Sequence, residues 1–195
     1  MDSSAYTLTG ERKFDAQFMQ DVYEVPMEVV DLPLEQCPKA NETARPIGGH
    51  LEGCRIGFDA GGSDRKVSAV VDGQTVYSEE VVWHPKTQED PQYHFDGIVE
   101  AFRTAASKMP RVDAIGVSSA GVFIGNAPMV SSLFIKVPRE KRELVKTIYD
   151  RAARELGDVP IVVANDGDVT ALAGAMGLEC GSVMGMAMGT SEAVG

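Results

Sequence analysis

A carboxylate, two glycines and a hydroxyl stand together in the segment Asp59-Ala60-Gly61-Gly62-Ser63. Glycines let backbone N–H groups approach phosphate oxygens without a side-chain clash, so residues of these types could clasp a phosphate group. The alternative is that Gly61-Gly62 only makes a tight hairpin turn, because glycine pairs are common in such turns. Taken alone, this segment favours the plain turn.

A second polar pair, Asn165-Asp166, directly follows the apolar run Ile161-Val162-Val163-Ala164. The Asp166 carboxylate could accept a proton from a substrate hydroxyl, and the Asn165 amide could orient the same substrate. The alternative is that Asp166 or Asp168 merely caps the helix that follows. Taken alone, this segment favours helix capping by Asp168 over a catalytic role. Such capping leaves Asp166 available for catalysis.

Two further polar turns follow apolar runs. Ser118-Ser119-Ala120-Gly121 ends one of them, and Gly189-Thr190-Ser191 ends another. As an isolated motif, the second turn favours a plain loop. Both become candidates for ligand binding only if the fold places them beside the two aspartates.

Hydrophobic periodicity predicts the elements that must position these turns. The predicted strands are Arg55–Ala60, Lys66–Val71, Thr75–Trp83, Val112–Ser118, Ile161–Ala164 and Ser182–Met188, and the predicted helices are Phe14–Val22, one capped by Asp96 and ended by Pro110, Arg139–Leu156 and Val169–Met176. A long irregular connection through Pro128 is expected between Gly121 and Pro138. The first three strands form a meander, and strands separated by helices should lie parallel.

The predicted topology brings the two aspartates together. Ligands bind beyond the carboxyl ends of parallel strands. If the first strand runs parallel to the two later ones, Asp59 and Asp166 share one rim of the sheet. This topological relation is the main reason, from the residues alone, to expect a site there.

Composition excludes several classes of function. The 195 residues are 44% hydrophobic, which suffices for a buried core, and the net charge of −11 opposes direct binding of nucleic acid. Cys37, Cys54 and Cys180 are widely spaced and indicate neither a disulfide framework nor a zinc site. We find neither a signal peptide nor an apolar stretch long enough to span a membrane, so a cytoplasmic location without membrane contact is expected.

Taken in order, four segments resemble the ROK family of sugar kinases and repressors, within the larger group that shares an ATPase fold with hexokinase, actin and Hsp70. They are Ile56-Gly57-Phe58-Asp59-Ala60-Gly61-Gly62-Ser63, Ala114-Ile115-Gly116-Val117-Ser118-Ser119-Ala120-Gly121, Val162-Val163-Ala164-Asn165-Asp166-Gly167-Asp168-Val169-Thr170-Ala171-Leu172 and Met188-Gly189-Thr190-Ser191-Glu192-Ala193-Val194-Gly195. The resemblance implies an α/β fold with a ribonuclease H-like mixed sheet, in which a three-stranded meander is followed by parallel strands with crossover helices, as in actin- and hexokinase-type ATPase domains.

The resemblance also implies roles for residues. Asp59 would act on the Mg2+ side of the nucleotide phosphates, directly or through water, and Asp166 would be the general base. The implied phosphate-binding residues are Asp59, Gly61, Gly62, Ser63, Gly189, Thr190 and Ser191, and the implied sugar-binding residues are Ser119, Gly121, Asn165 and Asp166. The implied cofactors are ATP and Mg2+.

The expected activity is transfer of the ATP γ-phosphoryl group to a sugar hydroxyl. Glu192 brings negative charge into the second phosphate motif, and a proline common in the Ser118–Gly121 turn is absent. Two alternatives therefore stay open: a sugar-responsive regulator without catalysis, and an ATPase of the same fold that acts on no sugar. Which sugar is bound, and whether the full-length protein forms a homo-oligomer, stay open too.

The expected organisation is an N-terminal extension (residues 1–50), an ATPase and sugar-binding domain (51–178) and the start of a second, nucleotide-binding domain (179–195). The zinc motif and the adenine-binding segment of the family have no counterpart here. We therefore expect the chain to be a fragment that is inactive by itself.

Overall fold

The computed structural model describes residues 3–41, 48–188 and 192–195. Two compact units divide the chain, Met1–Ile47 and Gly48–Gly195. In the first unit, helix α1 (Lys13–Tyr23) buries Ala16 and Val22 and ends at Glu24, which adopts the left-handed conformation. This helix confirms the one predicted over Phe14–Val22.

The second unit is built around a mixed five-stranded sheet. The strands of the chain are β1 (Cys54–Ala60), β2 (Asp64–Val71), β3 (Gln74–Val82), β4 (Ala114–Ser119), β5 (Val122–Ile124), β6 (Ala127–Val130), β7 (Ile161–Asn165), β8 (Met186–Met188) and β9 (Glu192–Val194). The main sheet has the order β3-β2-β1-β4-β7. The meander β1-β2-β3 is antiparallel, whereas β1 pairs with β4, and β4 with β7, in parallel. The expected mixed sheet is confirmed.

Helices join the parallel strands and cover the sheet. They are α2 (Pro91–Ala106), α3 (Arg142–Lys146), α4 (Ile148–Arg154) and α5 (Asp166–Leu178). The residues of β1 alternate between buried and half-buried, so that Phe58 packs edge-on against Phe102 of α2, with 5.4 Å between ring centroids. Tyr149 and Ile148 of α4 complete this core without solvent exposure. No helix of the described residues is long and apolar enough to cross a membrane.

The start of α2 corrects one prediction. Asp90, not Asp96, caps this helix, since its side chain accepts a hydrogen bond from the backbone N–H of Gln92. Pro91 occupies the first helical position, where its fixed φ suits a helix and its missing N–H costs nothing. Asp96 lies inside the helix and accepts a hydrogen bond from the Gln92 side chain over 2.7 Å.

The single helix predicted over Arg139–Leu156 is also wrong. The segment is a 3-10 turn (Arg139–Lys141) followed by α3 and α4, which meet at Thr147 with φ −100° and ψ 5°. The Thr147 hydroxyl donates to the carbonyl oxygen of Glu143, a side-chain contact of the kind that bends helices.

Two hairpins occur where the sequence predicted other structures. The connection expected to be irregular contains the β5–β6 hairpin, in which Gly125 has φ 62°. The strand predicted over Ser182–Met188 shortens to β8, which pairs with β9 instead of extending the main sheet. This second hairpin packs on α5 by backbone contact: a Cβ added at Gly167 would lie 2.8 Å from the backbone of Val194, and one at Gly195 would lie 2.5 Å from that of Asp168.

Candidate functional site

The carboxyl ends of β1, β4 and β7 meet at one edge of the sheet. Asp59 of β1 lies opposite Ser118 of β4, which in turn lies opposite Ala164 of β7. A cleft of about 560 Å³ opens beyond these ends. Its described lining consists of Asp59, Ala60, Gly61, Gly62, Ser63, Asp64, Lys66, Lys86, Ser118, Ala120, Ser132, Asp166, Val169, Thr170, Ala173, Ala187 and Met188. Asp59 and Asp166 therefore share one cleft, as the topology predicted.

Trp83 holds both ends of the glycine turn between β1 and β2, one end through its side chain and the other through its backbone. The indole N–H of Trp83 donates to the carbonyl oxygen of Gly61, and the backbone N–H of Trp83 donates to that of Ser63. A Cβ at Gly61 would lie 2.6 Å from the carbonyl oxygen of Asp64, so the turn requires glycine there. Gly61, Gly62 and Ser63 all line the cleft.

Asp59 is a half-buried carboxylate. Burial raises the pKa of the Asp59 carboxyl, while the Ser118 side chain, by hydrogen bonding, and the charge of Lys66 act in the opposite direction. The negative charges of Asp166 and Asp64 raise it further. A carboxylate in this setting is stabilised by any cation that enters the cleft.

Lys66 is paired with an acidic neighbour. Its ammonium group forms a salt bridge with Asp64, and this hydrogen bond raises the pKa of Lys66 and lowers that of Asp64. Lys66 lines the cleft and is about half exposed, 48% by side chain. It would have to share or leave Asp64 to contact a phosphate.

Asp166 is the first residue of α5. Its Oδ1 atom is shielded from solvent and has no hydrogen-bond partner within the described part of the chain. The fold thus leaves part of the acceptor capacity of this carboxylate unused, and such a group gains most from a hydroxyl donor or a cation.

Asn165 caps α5, which corrects the interpretation that Asp166 or Asp168 is the cap. The Asn165 side-chain oxygen accepts from the backbone N–H of Gly167 over 2.8 Å, and its amide donates to the carbonyl oxygen of Gly121, also over 2.8 Å. Gly121 has φ 142°, and a Cβ there would lie 2.6 Å from the carbonyl oxygen of Val130. Asn165 and Gly121 support the rim and do not line the cleft.

Ser119 is fully buried and receives a hydrogen bond from the Tyr149 hydroxyl over 2.9 Å. Burial raises the pKa of Tyr149 far above its usual value, so this phenol stays a donor. Because neighbouring residues of a strand face opposite sides, Ser118 turns to the cleft while Ser119 turns to the core. Ser119 therefore lies outside the cleft lining.

Several lining residues were assigned no role from the sequence. Ser118 was part of a motif, but only its register with Asp59 shows that it faces this carboxylate. Lys86 and Ser132 lie in 3-10 turns, Pro85–Thr87 and Ser132–Phe134, and no motif marks them. The predicted phosphate-binding residues Gly189, Thr190 and Ser191 lie outside the described residues.

The carboxylates of the cleft could hold a cation whose other ligands are mainly phosphate oxygens of a substrate. Within residues 3–41, 48–188 and 192–195, no three metal-ligating side chains lie together. Mg2+ in phosphoryl-transfer sites is commonly held by one or two carboxylates together with substrate phosphates and water. Asp59, with its raised pKa, and Asp166, with its unpartnered oxygen, fit this binding mode.

Comparison by sequence with known protein families and with curated proteins gives no match. Comparison with solved structures gives many. An inorganic polyphosphate/ATP-glucomannokinase from Arthrobacter sp. strain KM superimposes with a TM-score of 0.56 and 21% identity, over 73% of this chain and 57% of that one. The ROK hexokinase from Thermus thermophilus gives 0.45 and 18%, over 63% and 37%. A ROK family transcriptional regulator, a homologue of the E. coli MLC protein, gives 0.49 and 16%, over 65% and 31%.

The chain spans 57% or less of the length of these three structures. At these identities the comparisons are evidence for the fold alone. That evidence is the superposition on the glucomannokinase. Sugar kinases and a regulator of the ROK family are among the structural neighbours, as the motifs implied. The chain therefore shares the fold of the glucomannokinase over the superimposed part.

Proposed function

We propose that this protein is an ATP-dependent sugar kinase, which transfers the γ-phosphoryl group of ATP to a sugar hydroxyl. The observation that carries the proposal is the convergence of Asp59, the glycine turn Gly61–Ser63 and Asp166 on one cleft. The fold shared with a polyphosphate/ATP-glucomannokinase supports it. Phosphoryl transfer needs positioning and charge stabilisation more than covalent chemistry, and a cleft of this composition supplies both.

Asp166 accepts the proton of the attacking sugar hydroxyl in this mechanism. This role is supported by Oδ1 of Asp166, which makes no hydrogen bond within the described part of the chain. A general base must come within hydrogen-bond reach of the proton that it removes, and a residue in the wall of the substrate cleft meets this condition. Three residues outside the cleft lining set the position of Asp166 and of the rim: Asn165, Ser119 and Gly121.

The phosphates of ATP lie against the glycine turn. The backbone N–H groups of Gly61, Gly62 and Ser63 are the proposed donors, together with Gly189, Thr190 and Ser191 from the second motif. Asp59 is the proposed ligand of Mg2+. The ion, when bound, neutralises charge that develops on the phosphoryl oxygens.

In the proposed protein, residues 51–178 form the domain that carries the base and the first phosphate motif, and residues 179–195 begin a second domain. Residues 1–50 are the proposed N-terminal extension. Because the chain spans part of the length of its structural neighbours, a complete nucleotide site is proposed only for the full-length protein.

A regulator that binds sugar without catalysis is the second candidate. Two observations favour it: Lys66 is already paired with Asp64, and Glu192 adds a negative charge at the start of β9. Both work against a bound triphosphate. An ATPase that needs no sugar is the third candidate.

One experiment separates the three candidates. The full-length protein is incubated with Mg2+, ATP and a panel of hexoses and N-acetylhexosamines, and ADP is measured with and without each sugar. A kinase forms ADP only when its sugar is present. ADP without sugar indicates an ATPase, and sugar binding in calorimetry without ADP formation indicates a regulator; either result rejects the kinase.

A further inference from the structure

The strand that ends beside the proposed base lies at the border of the main sheet. β7 is last in the order β3-β2-β1-β4-β7, and β4 is its pairing partner. The backbone N–H of Ile115 in β4 donates to the carbonyl oxygen of Pro160 over 2.9 Å. Backbone groups of alternate residues point to opposite edges of a strand, so those of Pro160 and Val162 face β4. Those of Ile161 and Val163 face the other edge, the free edge of β7.

The side chain of Asn126 takes the place of a neighbouring strand at this free edge. The backbone N–H of Val163 donates to Oδ1 of Asn126 over 3.1 Å, and Nδ2 of Asn126 donates to the carbonyl oxygen of Ile161 over 3.2 Å. These are backbone groups that a further strand would bond. Nδ2 also donates to Oδ1 of Asp150 in α4 over 2.8 Å. An amide nitrogen carries two hydrogens, so each of these acceptors receives one of them.

The three contacts also fix which way round the amide lies. If it were reversed, its oxygen would face the carbonyl oxygen of Ile161 and the carboxylate of Asp150, and its nitrogen would face the N–H of Val163. Acceptors would then meet acceptors and a donor would meet a donor. The position therefore suits an amide and not a carboxylate of the same shape.

The β5–β6 hairpin, which carries Asn126, is fastened to β7 at two points. Asn126 lies in the turn of the hairpin, after Gly125, and β5 contacts β7. At the other end of β5, the carbonyl oxygen of Gly121 accepts a hydrogen bond from the amide of Asn165. The first attachment holds the beginning and middle of β7, and the second holds its end, next to Asp166.

Side-chain packing gives β7 little support of its own. Of its five residues only Val163 is buried, and Val162 is 52% exposed. A strand is held firmly in register where one of its faces is buried, and only weakly where it is not. The hydrogen bonds on the free edge are therefore needed to hold this strand in place.

We propose that Asn126 is a positioning residue for the proposed reaction: by pairing with the free edge of β7, it keeps Asp166 at the wall of the cleft. This inference rests on the proposed kinase function, in which Asp166 is the general base. Asn126 is not among the described residues that line the cleft. Its effect on turnover is therefore transmitted through β7.

Asn126→Ala removes all three hydrogen bonds. We expect kcat of the full-length protein to fall by about 10-fold, because a small displacement of a catalytic group is costly, while KM for the sugar changes by less than about 2-fold. Asp113→Asn is the matched control, since Asp113 also accepts a hydrogen bond from a strand N–H, that of Cys54, but at the amino end of β1. It should leave kcat unchanged. Equal losses of kcat in the two variants would indicate a general effect of lower stability and overturn the proposal.

A double-mutant cycle tests whether Asn126 acts through Asp166. In the Asp166→Asn background the base is already gone, so Asn126→Ala should lower the residual turnover by less than about 2-fold. A further loss as large as the one in the wild-type background would show that the two residues act independently, and the positioning role would be wrong.

An exchange of side chains tests the hydrogen bonds themselves. Asn126→Asp places a carboxylate against Asp150 and the carbonyl oxygen of Ile161, so it should lower kcat at least as much as Asn126→Ala. Adding Asp150→Asn returns a donor to the pair, and the double variant should recover at least about 3-fold of the lost turnover. A double variant no better than Asn126→Asp would contradict the proposed contacts.

Amide hydrogen exchange separates this inference from the proposed function. The Val163 N–H of the full-length protein should exchange at least about 10-fold faster in Asn126→Ala than in wild type, and at the wild-type rate in Asp113→Asn. Unchanged exchange in Asn126→Ala overturns the role of Asn126 in holding β7. Wild-type protein that forms no ADP with any sugar rejects the kinase, whereas faster exchange in Asn126→Ala would still support Asn126 as the residue that holds β7.

Discussion

The indole N–H of Trp83 donates a hydrogen bond to the carbonyl oxygen of Gly61 across 2.8 Å. The backbone N–H of Trp83 donates to the carbonyl oxygen of Ser63 over 3.1 Å, so the residue after β3 holds both ends of the turn between β1 and β2. Trp83 is 4% exposed. The shape of the proposed phosphate turn is therefore set by a core residue that itself lies outside the lining of the cleft.

Replacement of Trp83 by phenylalanine keeps an aromatic core residue and removes the indole donor. We expect Trp83→Phe to lower the free energy of unfolding by about 1–3 kcal/mol, since the Gly61 carbonyl loses its partner and the smaller ring leaves a gap. Mg-ATP affinity should fall by about 10-fold. Urea unfolding and calorimetry measure the two effects. Phe102→Leu, a core change away from the turn, should destabilise comparably without weakening the nucleotide; equal loss of ATP affinity in both variants would deny Trp83 its role.

Asp166→Asn should abolish most of the phosphorylation activity. The amide cannot accept the hydroxyl proton, so we expect a fall in kcat of about 100-fold or more with sugar binding nearly unchanged. Coupled ADP assays and sugar titration measure these two quantities. Asp168→Asn is the matched control, because Asp168 is an exposed residue of the same helical turn. Unchanged turnover in Asp166→Asn would remove the residue from its role.

Asp59 links the site to pH. Because burial raises the pKa of Asp59, the folded protein holds this proton more tightly than the unfolded chain. The contribution of Asp59 to the free energy of unfolding is fully present below the unfolded-state pKa of about 4. It is lost as pH rises through the higher pKa of the folded state. Asp59→Asn should therefore raise the Tm of the ligand-free protein at pH 7 more than at pH 4, and should remove Mg2+-dependent nucleotide binding.

Asp113 provides the opposite control for that measurement. Arg111, by hydrogen bonding, and the backbone N–H of Cys54 lower the pKa of Asp113, so its contribution is present at neutral pH and is lost as the solution becomes acidic. Asp113→Asn should lower the Tm at pH 7 and have less effect at low pH. If Asp59→Asn also lowered the Tm at pH 7, the carboxylate would be stabilised in the fold and the expectation for Asp59 would be wrong.

Asn165 joins the start of α5 to the rim at Gly121. Asn165→Ala removes both of its hydrogen bonds and should cost about 2–3 kcal/mol, the sum of a lost helix cap and a lost rim contact. Asn165→Asp keeps the acceptor for Gly167 but replaces the donor to Gly121, so about half of the loss should remain. Chemical denaturation measures both. Equal stability of the two variants would show that the cap hydrogen bond to Gly167 contributes nothing, whereas wild-type stability of Asn165→Asp would show that the Gly121 contact contributes nothing.

Tyr149 and Ser119 form a buried pair beneath the rim. Tyr149→Phe and Ser119→Ala should each cost about 1–2 kcal/mol, and the double variant less than their sum, because one change already breaks the bond between them. A double-mutant cycle in urea gives the coupling energy. Strict additivity would mean that the two hydroxyls are independent despite their 2.9 Å separation.

The strands that carry the chemistry could be predicted because their sequences contain the information locally. The apolar run at Ile161 and the alternating residues of β1 are strong strand signals, and the parallel rule then places Asp59 and Asp166 on one rim. Helix starts were harder to predict. Asp96 and Asp168 are good capping residues, but Asp90 before Pro91, and Asn165 at the end of β7, have the actual cap hydrogen bonds.

The cleft lining depended on contacts that no local pattern contains. Trp83 reaches Gly61 across 22 positions of the chain, and His94 reaches Leu133 across 39. Ser118 and Ser119 are chemically identical neighbours, and only the pairing of β4 with β1 decides which of them meets Asp59. Lys86 and Ser132 enter the cleft because tertiary packing brings their turns together.

The packing of the β8–β9 hairpin on α5 bears on how variation among relatives should be interpreted. A side chain at position 167 would collide with the backbone of Val194, so selection for folding alone eliminates every residue but glycine there. If Gly167 is invariant among relatives, the cause would therefore be its backbone contact and not a part in the chemistry. Aspartate at position 166, whose Oδ1 has no hydrogen-bond partner among the described residues, would instead carry an evolutionary signature of the reaction.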